Sequence, residues 1–147
     1  MNNQTVRNWM TPDPITISPQ TTLPEAQQIM FEHRFRRLPV VDRGRLVGIL
    51  TLGDIREANP SDATTLSVYE LNYLLDRLLV KDIMTANPVT VSPDDMIGDA
   101  ARLLVEHKIG GLPVTEGELV IGIITETDLC RLLMQEQPEV MEFHHAP

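Results

Sequence analysis

The sequence predicts an α/β fold of the α+β kind, in which one short β-α-β-β-α unit is used twice in tandem. Two observations carry this. One is an internal repeat. The other is the alternation, inside each copy, of short β-branched or apolar runs with segments of helical periodicity. Met10-Thr11 recurs as Met84-Thr85, and Pro14-Ile15-Thr16-Ile17-Ser18-Pro19 as Pro88-Val89-Thr90-Val91-Ser92-Pro93. Glu32-His33 recurs as Glu106-His107, and Leu38-Pro39-Val40 as Leu112-Pro113-Val114. Gly48-Ile49-Leu50-Thr51 with Asp54 returns as Gly122-Ile123-Ile124-Thr125 with Asp128. Every pair has the same offset, 74 residues, so no insertion interrupts the unit. It runs from about Val6 to Ala58 and again from about Val80 to Leu132.

Within a copy, Ile15-Thr16-Ile17 alternates and is β-branched, the pattern of a short strand. Leu23, Ala26, Ile29, Met30 and His33 then have helical spacing, as do Ile97, Ala100, Leu103, Leu104 and His107. Leu38-Pro39-Val40-Val41 is short and apolar, a buried strand with its proline at a sheet edge. Arg43-Gly44 is a turn, Leu46 to Leu50 a second apolar strand, and Thr51-x-x-Asp54 opens a closing helix. Between the copies, Asn59-Pro60 ends that helix. Ser67-x-x-Glu70 is a capping box, with Leu66 and Leu71 at staple spacing. Leu71, Leu74, Leu75, Leu78 and Leu79 mark an amphipathic helix running into Val80, whose leucine stripe needs a partner in the second unit or in another subunit. The chain divides into a first unit at 1–58, a helical linker at 59–79, a second unit at 80–134 and a tail at 135–147.

Composition narrows the function. Apolar residues are 42% and charged residues 22%, as in an ordinary globular chain, and aromatics only 4%, so the core rests on Leu, Ile, Val and Met. The formal net charge of −9 disfavours nucleic acid as a partner. Arg34, Arg36, Arg37, Arg43 and Arg45 form the one local basic cluster. No apolar run approaches the roughly 20 residues that span a bilayer, and the polar N-terminus lacks a signal-peptide core. The single cysteine, Cys130, cannot close an intramolecular disulfide, which fits a reducing, cytoplasmic setting. It has no base in a motif around it, so it reads as a small helix residue rather than a nucleophile. His33 and His107 fall near helix ends, where the dipole favours them structurally. His144-His145 make a poor metal site.

Two tandem β-α-β-β-α copies, carrying Leu-Pro-Val before one strand and Gly-Ile-x-Thr-x-x-Asp after the next, resemble the cystathionine-β-synthase (CBS) domain. Two in tandem resemble a Bateman module, from about Val6 to Met134. The leucine-rich insertion resembles that of stand-alone bacterial CBS pairs of the acetoin-utilisation type. The resemblance implies units packed about a pseudo-two-fold axis, with two clefts that hold adenosine-containing ligands. It implies that Asp54 and Asp128 hold ribose hydroxyls, that Thr51 and Thr125 lie near phosphate or ribose, and that Ile49 and Ile123 lie against the base. Ile15 and Val89 match the strand that reads adenine, and Phe35 and Ile109 another base contact. Arg36 and Arg37 match positions where related energy-sensing proteins place phosphate-binding His or Arg. One cleft would join Thr51 and Asp54 to Val89, Ile109 and Pro113. The other would join Thr125 and Asp128 to Ile15, Phe35, Arg36, Arg37 and Pro39.

The chemistry is coherent. A carboxylate accepts both hydroxyls of a ribose, helix N-termini and arginine forks suit phosphate, and apolar strands give adenine a slot. Thr-x-x-Asp is equally an ordinary capping pattern, and one residue can serve both ends. Arg34-Phe35-Arg36-Arg37 is matched by Lys108-Ile109-Gly110-Gly111, which predicts an Arg-rich cleft for a phosphorylated ligand. The other cleft would be left for a less charged ligand or none. The expected function is a non-catalytic regulatory module, with AMP, ADP, ATP, S-adenosylmethionine, NAD-like molecules or cyclic dinucleotides as candidate ligands and no catalytic cofactor or metal. An enzyme is disfavoured, since no P-loop, nucleophile elbow or metal-ligand cluster occurs. The alternative is a structural dimerisation module with unoccupied clefts. A homodimer, a regulated partner protein, and neither nucleic acid nor membrane complete the expectation.

Overall fold

The computed structural model describes residues 4–58 and 66–136. The first copy forms α1 (Val6–Trp9), β1 (Thr11–Pro12), α2 (Leu23–His33), β2 (Arg37–Asp42), β3 (Arg45–Thr51) and α3 (Leu52–Ala58). The linker contributes α4 (Val68–Arg77). The second copy forms α5 (Val80–Ile83), β4 (Thr85–Ala86), α6 (Ile97–His107), β5 (Gly111–Glu116), β6 (Leu119–Thr125) and α7 (Glu126–Glu136). Asn59, Pro60, His144, His145 and nearly all of the expected tail lie outside the described residues.

The expected hairpins form, β2 on β3 and β5 on β6, each with a bulge at the matching place, Val40/Val41 and Val114/Thr115. Arg43 and Gly44 turn the first hairpin at positive φ, 52° and 82°. The expected strand Ile15-Thr16-Ile17 is not a strand. It is reduced to a single parallel bridge, Ile17 to Val40, with Val91 to Val114 as its counterpart. The Ile17 amide donates to the Pro39 carbonyl (3.0 Å) and its carbonyl accepts from the Val41 amide (2.8 Å). Pro14, Pro19 and Pro39 have no N–H to donate, so the ladder cannot lengthen.

The copies exchange their leading segments. The sheets run β2-β3-β4 and β1-β6-β5, so each three-stranded sheet takes its third strand from the other copy. Gly48 pairs with Ala86, and Gly122 with Pro12. A Cβ on Gly48 would lie 3.0 Å from the Thr85 carbonyl oxygen, so the repeat needs glycine here for the foreign strand to approach. The cores follow the exchange. Val6 is fully buried with Leu112, Val114, Ile124 and Leu132 of the second copy. Val80 is fully buried with Leu38, Val40, Leu50 and Ile55 of the first. Each such side chain contributes about 1.5–3 kcal/mol by burial.

α4 begins as expected, with Ser67 Oγ accepting from the Glu70 amide at 3.2 Å. It ends earlier than the leucine spacing suggests, at Arg77. The Leu78 carbonyl accepts from the Leu23 amide and the Val80 amide donates to the Thr21 carbonyl, so this stretch is held extended against the start of α2. Leu75 and Leu78 pack on the first copy's core. The stripe thus meets the first unit through Leu75 and Leu78, whereas Leu74 stays exposed.

Candidate functional site

The pseudo-symmetric copies meet along β3 and β6. The Leu46 amide donates to the Glu118 carbonyl at 3.1 Å, and Arg45 pairs with the Glu118 carboxylate at 2.8 Å. Two cavities open at this junction, of about 500 and 450 Å³, in the range of small-ligand sites.

The larger cavity takes Ile15, Phe35, Arg36, Arg37 and Pro39 from the first copy and Ile123, Thr125 and Asp128 from the second. The smaller takes Ile49 and Thr51 from the first and Val89, Ile109 and Pro113 from the second. The expected residues thus gather in two groups across the junction, with one exception. Asp54 does not line the smaller cavity, and its Oδ1 lies 3.5 Å from the hydroxyl of the lining Thr85.

Local rules place these side chains. α2 and α6 both stop on a left-handed residue, Arg34 (φ 57°) and Lys108 (φ 54°), which swings the chain so that Phe35 and Ile109 face the junction. The Phe35 ring stacks on His33, 5.4 Å between centroids. Asp13 and Asn87, at φ 49° and 50°, turn the chain from β1 and β4 toward Ile15 and Val89. Both residue types tolerate this conformation.

The two Thr-x-x-Asp turns differ. In the first copy the Thr51 amide donates to Asp54 Oδ2 (2.9 Å) and the Asp54 amide to Thr51 Oγ1 (3.0 Å), a reciprocal cap on α3. In the second, Asp128 is 2% exposed and accepts three bonds. They come from the Thr125 amide (2.9 Å) and hydroxyl (3.3 Å) to Oδ2, and from Arg131 Nη1 to Oδ1 (3.1 Å). Glu57 stands where the first copy would need an arginine to match this.

Charge separates the cavities less than the aligned residues suggest. Arg34, Arg36, Arg37 and Arg131 line the larger one with Glu126 and Asp128, leaving it cationic on balance. The glycines do not strip the smaller one of cations, because Lys108 lines it and Arg37 reaches it from the first copy. Burial lowers the Arg37 guanidinium from its ordinary value, Glu126 raises it and Arg36 lowers it further. Sequence reasoning missed Glu126 and Arg131 in the larger cavity and Thr85 and Asn87 in the smaller. It read His107 only as a helix-end residue. The 74-residue register pairs Thr85 with Thr11 and Asn87 with Asp13, a signal that could have marked these residues.

Among the described residues no helix is long and apolar enough to cross a membrane. The family model described as the CBS domain matches residues 6–61 and again 80–135. An inosine-5'-monophosphate dehydrogenase of Korarchaeum cryptofilum is 38% identical over 119 residues, covering 80% of this chain and 22% of its own length. The chain spans less than half the length of several other curated relatives that it matches. Among solved structures, CBSX2 of Arabidopsis thaliana in complex with AMP superposes with a TM-score of 0.76 at 30% identity, covering 91% of this chain and 98% of that one. The CBS domain pair of protein MJ0100, in complex with 5'-methylthioadenosine and S-adenosyl-L-methionine, gives 0.75 at 29% identity, covering 90% and 98%. A Vibrio cholerae protein described as an acetoin utilization protein (AcuB) gives 0.75 at 28% identity, covering 94% and 97%.

Proposed function

The chain belongs to the CBS-domain family as a tandem pair, and from that premise we propose that it is a non-catalytic regulatory module that binds an adenosine-containing ligand in the clefts between its two copies and relays occupancy to a partner protein. The observation that carries this is the pair of cavities at the junction, each walled by both copies. A ligand seated there touches both units at once, so it favours one relative arrangement over others, which is what a sensor requires.

In the larger cleft the adenine would lie between Ile15, Phe35, Pro39 and Ile123, with phosphate toward Arg36 and Arg37. In the smaller it would lie between Ile49, Val89, Ile109 and Pro113. Asp128 and Asp54 would take the ribose hydroxyls beside Thr125 and Thr51. Asp54 would turn toward its cleft from beside Thr85. AMP and S-adenosylmethionine lead the candidates, because similar pairs hold AMP, 5'-methylthioadenosine and S-adenosyl-L-methionine. ADP and ATP follow for the arginine-lined cleft. A cytoplasmic homodimer fits the lone Cys130 and the exposed Val68, Tyr69, Tyr73 and Leu74 of α4.

One observation favours the second reading, an assembly module with empty clefts: Asp128 already has both oxygens engaged by its own chain. A thermal-shift screen against AMP, ADP, ATP, S-adenosylmethionine and NAD separates the two. A ligand of the native state raises the melting temperature as its concentration passes Kd. A saturable rise with at least one compound, weakened by Asp128→Asn or Asp54→Asn, is the expected result. No rise with any at millimolar concentration leaves the assembly reading standing.

A further inference from the structure

Arg37 belongs to the first copy but serves the junction as a whole. It lines both cavities. The residues 74 positions after Arg36 and Arg37 are Gly110 and Gly111. A Cβ on Gly110 would lie 2.6 Å from Arg37 Nη2, and a Cβ on Gly111 2.8 Å from Arg37 Cδ and 3.0 Å from Nε. Neither could be accommodated without moving the arginine. The two glycines are thus the seat of the Arg37 side chain, and the guanidinium lies across the junction instead of within one cleft.

We propose that Arg37 is a phosphate ligand common to both clefts, so that two phosphorylated ligands compete for one guanidinium and bind anticooperatively. This rests on the adenosine-ligand reading above. A guanidinium presents its planar fork to one phosphate at a time. A phosphate that draws it into the larger cleft withdraws it from the smaller, which keeps Lys108, while the larger keeps Arg34, Arg36 and Arg131. Burial strengthens the effect, since Arg37 is partly shielded from the water that would screen it. A ligand without phosphate makes no demand on Arg37 and creates no competition.

The test is isothermal titration with AMP and with adenosine on four chains. These are the wild type, Ile15→Trp to fill the larger cavity, Val89→Trp to fill the smaller, and Arg37→Gln, each first shown to be folded by circular dichroism. With a shared Arg37, each filled variant binds one AMP. The second AMP on the wild type then binds about ten-fold or more weakly than the same cleft does when the other is filled. Adenosine shows no such difference, and Arg37→Gln abolishes it for AMP. Two AMP molecules binding the wild type with the affinities of the two filled variants overturn the shared ligand and leave adenosine binding intact. A smaller cleft that takes no AMP even in Ile15→Trp, while the larger still binds, also overturns it. No heat with AMP or adenosine on any of the four overturns the adenosine reading itself.

Discussion

Removing the carboxylate from the two equivalent aspartates has unequal consequences for stability. Asp128→Ala deletes three hydrogen bonds at a site that is 2% exposed. The bond from the Thr125 amide is of the helix-cap kind, about 1 kcal/mol. The Thr125 hydroxyl loses its acceptor, about 1 kcal/mol more. The Arg131 pair adds up to about 1 kcal/mol, discounted because the arginine side chain is 59% exposed and re-solvates readily. The total is about 2–3 kcal/mol. Asp54→Ala loses one backbone cap bond and a long contact with Thr85, about 1 kcal/mol in all. Each kcal/mol lowers the melting temperature by about 2–4 °C in a chain of this size. Urea unfolding followed by circular dichroism, extrapolated linearly to water, reads the difference directly. Equal losses for the two variants, or a larger loss for Asp54→Ala, would refute the inequality drawn from their hydrogen bonds.

Other outcomes follow from the same structure. Gly48→Ala crowds the Met84 side chain and the Thr85 carbonyl and should cost about 1–3 kcal/mol by loosening the exchanged strand, read from melting curves. Leu38→Ala and Leu112→Ala, fully buried counterparts in the two cores, should each cost about 2–5 kcal/mol; a loss under about 1 kcal/mol at either would contradict its core assignment. Arg45→Ala removes only an exposed ion pair with Glu118 and should change stability by less than about 1 kcal/mol, with an effect that shrinks in high salt. Cys130 is exposed and should react with a thiol reagent in the folded protein without denaturant.

Much of the fold was legible because its signals are local. Leu23, Ala26 and Met30, like Ile97, Ala100 and Leu104, mark a buried helical face by spacing alone. The hairpins announce themselves through apolar runs around Arg43-Gly44 and its counterpart. The exchange of leading segments was not legible, since β1 and β4 are two residues long and carry no period. The end of α4 was misread because Leu78 and Leu79 continue the helical stripe. What stops the helix is a backbone bond to Leu23, more than fifty residues earlier in the chain. In the site, the division of residues between two clefts was implied by the resemblance to CBS pairs and not by the repeat itself, while the reach of Arg37 over Gly110 and Gly111 depends on the distance across the pseudo-two-fold axis. The different settings of Asp54 and Asp128 turn on Arg131, whose place is taken by Glu57 in the first copy.

The most direct test of the central claim is a crystal structure of the chain with whichever of AMP, ADP, ATP, S-adenosylmethionine or NAD stabilises it most. Ligand density between the copies, with the adenine against Ile15 and Ile123 or against Val89 and Ile49, is the predicted result. The ribose should lie within hydrogen-bond distance of Asp128 or Asp54. Density for the ligand elsewhere on the molecule, with both junction cavities holding only solvent, would contradict it.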